Sequence, residues 1–349
     1  MEIERPYFMN LSGKKIIIFG GTGSLGRALV RRLSADNELI LFSRDEAKHW
    51  TIRNQLSDKS SVKFVVGDIR DEVRVKETLI RYNPDAIIIA SALKQVDTCE
   101  LSPYESVQTN ILGIRSVLNA VIHQAHLLSD LEAVLMVSTD KACAPANVYG
   151  MCKAIAERLV TSACIASGKG PRFIGVRYGN VLESRGSIIP LFRHQGECQS
   201  SFTVTHPEMT RFIMTLDQSI DLIVSTILGA RSGEMWLPKL QSMNIMDLAE
   251  IFSERYDKPI DIIGIRPGEK LHEDLISRPE SVRVRDEAGF YKMSPSHIDV
   301  ALDAKIFDYV SDQDVLPKQD LADYLEKIGI FSRSMDQFLG REIEEIKTS

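Results

Sequence analysis

The sequence predicts an α/β protein, a doubly wound parallel sheet with a smaller, discontinuous second domain. Three observations predict it. Short apolar runs rich in β-branched residues alternate with helical patterns through the first half of the chain. A glycine-rich turn follows the first of these runs. After about residue 181 the alternation gives way to polar stretches rich in Pro and Gly.

Each element can be justified in order. "KIIIFG" (Lys15–Gly20) reads as a strand and is followed by an amphipathic stretch, Leu25–Leu33. "ELILFS" (Glu38–Ser43) precedes Asp45–Leu56, and "VKFVVGD" (Val62–Asp68) precedes Glu72–Tyr82. "DAIIIAS" (Asp85–Ser91) leads into a long helical pattern, Pro103–His126. "AVLMVST" (Ala133–Thr139) precedes Tyr149–Ala166, and "RFIGVRYGN" follows, with Asn180 ending the sixth strand. Near-continuous apolar strands between helices indicate a parallel sheet covered on both faces. Ligands of such a sheet sit at the carboxyl ends of its strands, where the strand order reverses.

The later half holds helical runs at Leu216–Leu228 and Ile245–Tyr256, and short strands in "EMWLP" and "IDIIGI". We therefore expect a nucleotide domain over 12–185 with a returning segment near 213–238. Residues 186–212 and 239–335 form the second domain, and 336–349 a charged tail.

Composition narrows the function classes. The chain has 349 residues, 44% of them hydrophobic and 26% charged, and a formal net charge of −6. An acidic balance argues against a nucleic-acid or anionic-membrane partner. The five cysteines are scattered, without C-x-x-C, which suits a reducing, cytoplasmic setting and no metal site. The N-terminal "MEIERPYFMN" lacks an apolar leader, and the longest apolar runs have strand length.

The turn "GGTGSLG" carries Gly20, Gly23 and Gly26, with Thr22, Ser24 and Leu25 between them. Glycines let backbone approach a pyrophosphate closely, and a helix N-terminus favours the anion. The second strand ends at Ser43 and Arg44, with Lys48 one helical turn on. A hydroxyl and two cations suit a 2′-phosphate, so NADP is expected over NAD; the bland alternative is a solvated helix start. Asp68 and Ile69 end the third strand, where Asp68 suits the adenine amino group. Ala90, Ser91 and Ala92 at the end of the fourth, and Lys94 just beyond, complete the candidate cofactor contacts.

The stretch "VSTDKACAPANVYGMCK" concentrates titratable groups. Tyr149 and Lys153 are four apart and share a helix face. A neighbouring ammonium lowers a phenol's pKa, so the pair can take a proton from a hydroxyl while hydride leaves. Asp140 and Lys141 follow the fifth strand, either as a working acid–base pair or as a solvated turn.

These motifs, with "SRDE", "GDIRD", "SALKQVDTCE", "TNILG", "STDKA", "RYGNVLESRGSIIPLF", "MTRF" and "GIRPGEKLHE", resemble the extended short-chain dehydrogenase/reductases. Within them the chain is similar to the soluble UDP-N-acetylglucosamine 4,6-dehydratases, from about Lys15 to Asp274. The resemblance implies a Rossmann domain and catalytic NADP, with UDP-N-acetylglucosamine as substrate. It implies that hydride leaves C4, that Lys141 takes the C5 proton, that Asp140 expels the C6 hydroxyl, and that Thr139 holds O4. It requires a neutral Lys141, which burial and Lys153 would favour. Inversion at C5 is the expected outcome.

The resemblance also places Lys94, Asn180, Arg185, Ser187, Arg211, Arg266 and Glu269 around the nucleotide sugar. Arg211 alone reads equally well as an ordinary ion pair. His206 and His272 read as structural. Competing functions are a C5-retaining dehydratase, a nucleotide-sugar epimerase, and a non-catalytic NADP-binding regulator. The family commonly pairs through the helices here at Pro103–His126 and Tyr149–Ala166. A dimer or hexamer is therefore expected, with Ile111, Val117, Val121 and Ile155 offering apolar surface.

Overall fold

Six parallel strands form the centre of the molecule: β1 (Lys15–Phe19), β2 (Glu38–Ser43), β3 (Val62–Val66), β4 (Ala86–Ile89), β5 (Ala133–Val137) and β6 (Arg172–Val176). The computed structural model describes residues 11–56, 61–168, 170–184, 186–298 and 304–331. The predicted tail, 336–349, lies outside them. The strand order is β3-β2-β1-β4-β5-β6, reversing between β1 and β4. That crevice is where a doubly wound sheet binds its ligand.

The strands read as unbroken apolar runs because both faces are covered. Ile16 and Ile18 enter one core, and Ile17 and Phe19 enter the other. The predicted helices appear within a residue or two as α1 (Ser24–Leu33), Glu46–Gln55, Glu72–Tyr82 and Val148–Ser167. No described helix is long and apolar enough to cross a membrane.

The structure departs from expectation in four places. The sheet does not end at β6. Met235–Pro238 adds to it in parallel, and Phe290–Met293 and Val284–Glu287 extend it as an antiparallel hairpin. Residues 284–293, expected in the second domain, therefore finish the nucleotide sheet. The long helix Pro103–His126 is instead an α-turn (Pro103–Val107), a π-turn (Gln108–Leu112), an α-helix (Gly113–His123) and a short 3-10 turn (Ala125–Leu127). Asn180 does not end β6. With Val181 it forms a separate two-residue strand beside Ile213 and Met214. Finally, Val117 and Val121 offer no outer surface, because both fill the core under their own sheet. Ile155 is 49% exposed, as is Met151 one helical turn before it.

The second lobe has its own core. Phe192, Phe202 and Phe252 pack edge to face, with Phe192 5.5 Å from Phe202 and 5.6 Å from Phe252. Helices Ile188–Cys198, Ile245–Tyr256 and Lys318–Lys327 enclose them. Strand Asp274–Ile276 leads from this lobe back toward the end of β5.

Candidate active site

The glycine turn lies in the crevice between β1 and β4. Gly20 has φ +83°, and a Cβ there would come within 2.8 Å of the Ser91 nitrogen. Only glycine permits both the turn and the contact with the end of β4. Gly23 caps α1, and no side-chain hydrogen bond closes that helix end. Gly26 is buried in the first turn of α1. A helix start without a side-chain cap beside an open glycine turn fits the pyrophosphate of a dinucleotide. Ser24 and Leu25, half-buried, complete the turn, while Ala90, Ser91 and Ala92 line the end of β4.

At the end of β2 a hydroxyl chain runs sideways. Thr22 Oγ1 donates to Ser43 Oγ at 3.2 Å, and Ser43 Oγ lies 2.8 Å from His49 Nε2. Burial holds His49 below its ordinary pKa. The Arg44 side chain is 58% exposed and stands 3.6 Å from Asp68. Lys48 pairs with Asp45 at 2.7 Å. Asp68 is gripped by Arg70, whose hydrogen bonds outweigh burial and keep the carboxyl below its usual range. Ile69 beside it is buried.

The loop after β4 is anchored by Asn110. Its Oδ1 accepts from the Leu93 nitrogen at 2.9 Å, and its Nδ2 donates to the Leu93 oxygen at 2.8 Å. Lys94, next along, is exposed. Nothing within "TNILG" itself gives Asn110 a task. The π-turn that aims this side chain follows from no simple periodicity.

At the end of β5 the titratable groups converge. Thr139 opens a short 3-10 turn (Asp140–Ala142) and its hydroxyl donates to Asp140 Oδ1 at 2.9 Å. Asp140 is buried. Lys141 Nζ lies 3.1 Å from Asp140 Oδ1 and 2.9 Å from Glu273 Oε1. Asp140 Oδ2 and Glu273 Oε2 are buried without a hydrogen-bond partner. Tyr149 and Lys153 sit on the first turns of the next helix, whose Gly150 rests on the Lys141 carbonyl with no room for a Cβ.

The electrostatics differ from expectation at three groups. Burial alone would lower Lys141, but the carboxylates of Asp140 and Glu273 overcome it and hold the amine above its ordinary value. The carboxylates thus favour the ammonium, where burial and Lys153 were expected to favour the neutral amine needed when Lys141 acts. Burial pushes Tyr149 up to about 12, and the cation that pulls against this rise is Lys141. Lys153 instead donates to the Val137 oxygen at 2.6 Å, and burial lowers it to about 8. Asp140 is raised by burial, with Lys141 opposing and Glu273 adding.

The predicted sugar contacts scatter more widely. Asn180 Oδ1 and Ser187 Oγ are buried with no hydrogen-bond partner, as befits groups awaiting a ligand. Arg211 is turned inward. Its guanidinium donates to the oxygens of Thr210, Lys270 and Leu271, and stands 3.8 Å from Glu273. Arg266 is 3.9 Å from Asp97 on an exposed loop, and its nitrogen donates to Glu269. Arg185 lies outside the described residues. His272 bonds Thr210, and His206 accepts from the Glu208 nitrogen.

Two buried groups were missed by the sequence reading. Glu273 lies within the quoted "GIRPGEKLHE", but its partner is 132 positions upstream. Arg177 is 1% exposed and bonds both Glu157, on the helix Val148–Ser167, and Glu280, in the turn before the hairpin 284–293.

This constellation can be compared with known proteins. Residues 16–295 match the family model described as "Polysaccharide biosynthesis protein". The chain belongs to the polysaccharide biosynthesis protein family. Among its relatives in that family, the UDP-N-acetylglucosamine 4,6-dehydratase (inverting) of Campylobacter jejuni is 35% identical over 290 residues. That match covers 82% of this chain and 84% of the relative. The UDP-glucose 4-epimerase of Rickettsia prowazekii is 37% identical over 289 residues, 80% of this chain and 82% of that one. The X-ray structure of Pen from Bacillus thuringiensis superposes with a TM-score of 0.84 at 32% identity. It covers 93% of this chain and 100% of its own. Dehydratases and epimerases thus stand at similar distances, and the side chains must discriminate between them.

Lys153 gives a test independent of turnover. Its pKa is about 8 when folded, against an ordinary 10.5. The folded state therefore resists protonation, a penalty fully present below pH 8 and lifted between pH 8 and 10.5 as the unfolded chain also loses its proton. Lys153→Met should gain about 1–3 kcal/mol at pH 7, after allowance for the lost bond to Val137, and lose activity. It should also flatten the rise in stability across that window. Urea unfolding as a function of pH, at matched cofactor content, checks both; an unchanged pH slope would count against a buried, depressed lysine.

Proposed function

We propose that this chain is an NADP-dependent UDP-N-acetylglucosamine 4,6-dehydratase that inverts C5. The observation that carries this reading is the Asp140–Lys141 ion pair at the end of β5, near Tyr149, with Asp140 buried and Lys141 half-buried. An epimerase needs proton and hydride movement at C4 alone. A dehydratase needs a further acid and base for C5 and C6.

The residues divide the work. A bound nicotinamide would accept hydride from C4 and return it to C6, held by the Gly20–Gly26 turn and the end of β4. Tyr149, with Thr139 beside the sugar O4, takes the hydroxyl proton as its phenolate, the minor form that the Lys141 cation favours. Lys141 begins as an ammonium. Transfer of its proton to Asp140 Oδ1, 3.1 Å away, breaks one N–H bond and forms one O–H bond. This single step makes Lys141 a free base and Asp140 an acid. The raised pKa of Asp140 favours it, against the hold of Asp140 and Glu273 on the Lys141 proton. The amine then takes the C5 proton, the C5–H electron pair forms the C5–C6 double bond, and Asp140 gives its proton to the departing C6 oxygen. Water leaves and charge balances. Reprotonation of C5 fixes the configuration.

NADP is supported by Arg44 and Lys48, which flank the end of β2 where an NAD enzyme presents a carboxylate. Five free cysteines fit a reducing compartment such as the cytoplasm. Exposed Met151 and Ile155 on the catalytic helix, with Leu101 and Tyr104, support a homo-oligomer.

NMR of the product from UDP-N-acetylglucosamine in deuterated water tests the assignment. A 6-deoxy-4-keto sugar with deuterium at C5 and inverted configuration is expected. A C4 epimer without C5 exchange would establish the epimerase instead, a reading that the Rickettsia relative favours.

Four further outcomes are expected. Tyr149→Phe should slow C4 oxidation by ~10²-fold or more. Lys141→Ala and Asp140→Asn should still form the 4-keto sugar but stall before water is lost, and full turnover by Lys141→Ala would remove it as the base. Arg44→Asp should weaken NADP relative to NAD by roughly tenfold, measured by titration calorimetry; equal affinities in the unmutated protein would defeat the NADP assignment. Light scattering should give a mass above the 39.1 kDa of one chain, and a monomer at micromolar concentration would exclude the assembly.

A further inference from the structure

Glu273 lies outside the pair to which the chemistry was assigned, yet it makes the shorter contact to Lys141. Its Oε1 is 2.9 Å from Lys141 Nζ, against 3.1 Å for Asp140. The side chain is buried, a costly place for a carboxylate unless a partner compensates. Its backbone is fixed on both sides: the Glu273 nitrogen donates to Ser311 Oγ, and the Ser311 nitrogen donates to the Glu273 oxygen, each at 2.9 Å. Strand Asp274–Ile276, which follows, pairs with Tyr309–Val310.

Arg211 is the weaker claimant to this carboxylate. Its guanidinium already donates to three backbone oxygens at 2.7–3.1 Å and stands 3.8 Å from Glu273. The second carboxylate oxygen, Oε2, remains buried without a hydrogen-bond partner.

We propose that Glu273 is a positioning residue, which holds the Lys141 nitrogen at the end of β5 and tunes its readiness to act as a base at C5. The proposal rests on the reading of Lys141 given above. The second lobe thereby reaches into the chemistry of the nucleotide domain. The charged and titratable groups facing Lys141 are Asp140 on its own turn, Glu273, Arg211 from strand Thr210–Met214, and Tyr149 from the catalytic helix. Two carboxylates balance two cations. Without the Glu273 charge, Asp140 alone opposes Arg211, and the ammonium is less well held.

The test reads Lys141 directly. Lysine side chains of the isotope-labelled holoprotein are followed by NMR against pH, with Lys141→Met assigning the signal. Glu273→Gln should move the Lys141 midpoint down by about one pH unit or more. Glu273→Asp keeps the charge but draws it back, so it should give a smaller shift in the same direction. It is the variant to read if Glu273→Gln does not fold.

In parallel, Glu273→Gln should cut deuterium incorporation at C5 of UDP-N-acetylglucosamine by ~10-fold or more while C4 oxidation stays within about threefold. An unmoved midpoint in both variants overturns the proposal, even where turnover falls. A moved midpoint in a protein whose unmutated form does not convert UDP-N-acetylglucosamine supports the Glu273–Lys141 coupling and sinks the dehydratase assignment alone.

Discussion

Arg177 is the point at which three distant segments of the chain are fastened together. It follows β6 and is almost wholly buried, so its charge must be met inside the protein. Glu157 meets it from the helix Val148–Ser167 and Glu280 from the turn before the hairpin 284–293, while the Leu275 oxygen takes a further N–H. Glu157 also accepts from Ser138 at the end of β5, and Cys143 Sγ donates to Glu280. Arg177 outweighs burial and holds Glu280 down at about 2, so that carboxylate stays charged at neutral pH. Such a cluster contributes little net stability compared with an apolar plug of the same shape. It does fix relative placement, because any other docking would leave a buried charge unmatched.

With that placement fixed, burial decides the character of each side chain at the end of β5. The same loss of water raises Tyr149 and Asp140 and lowers Lys153. Lys141 departs from the pattern because two carboxylates surround it. The two lysines of the motif therefore have opposite characters, although the sequence offers them as similar. One is a well-held ammonium at the protein's interior junction, and the other is a strained cation on a backbone carbonyl. Active sites tolerate such strain where surrounding packing supplies the stability.

How far the chain could be read in advance follows from the range of each interaction. The six parallel strands were legible because burial on both faces writes an uninterrupted apolar run. The glycine turn was legible because its geometry is local. The hairpin 284–293 was not, since Val284, Arg285, Asp286 and Glu287 are mostly polar at the edge of the sheet. Val117 and Val121 were misread because an amphipathic pattern does not say which neighbour its apolar stripe faces. Glu273 and Arg177 acquire meaning only when segments far apart in the chain meet. Arg211, read evenly as a nucleotide-sugar contact or an ordinary ion pair, donates to the backbone of 210 and 270–271 and stands 3.8 Å from Glu273. The order of the site could be read as a string, but its charge balance could not.

The π-turn at Gln108–Leu112 carries a consequence for how this chain can change over time. A π-turn holds one more residue than the α-turn it interrupts. That surplus swings Asn110 onto both backbone groups of Leu93 while the helix beyond still presents Ile114, Val117 and Val121 to the core. Deleting one residue within 108–112 would make the helix regular without rotating its downstream face. The protein would lose little packing and would let go of the loop beyond β4. A shorter chain here would form a more regular helix and a looser loop beyond β4.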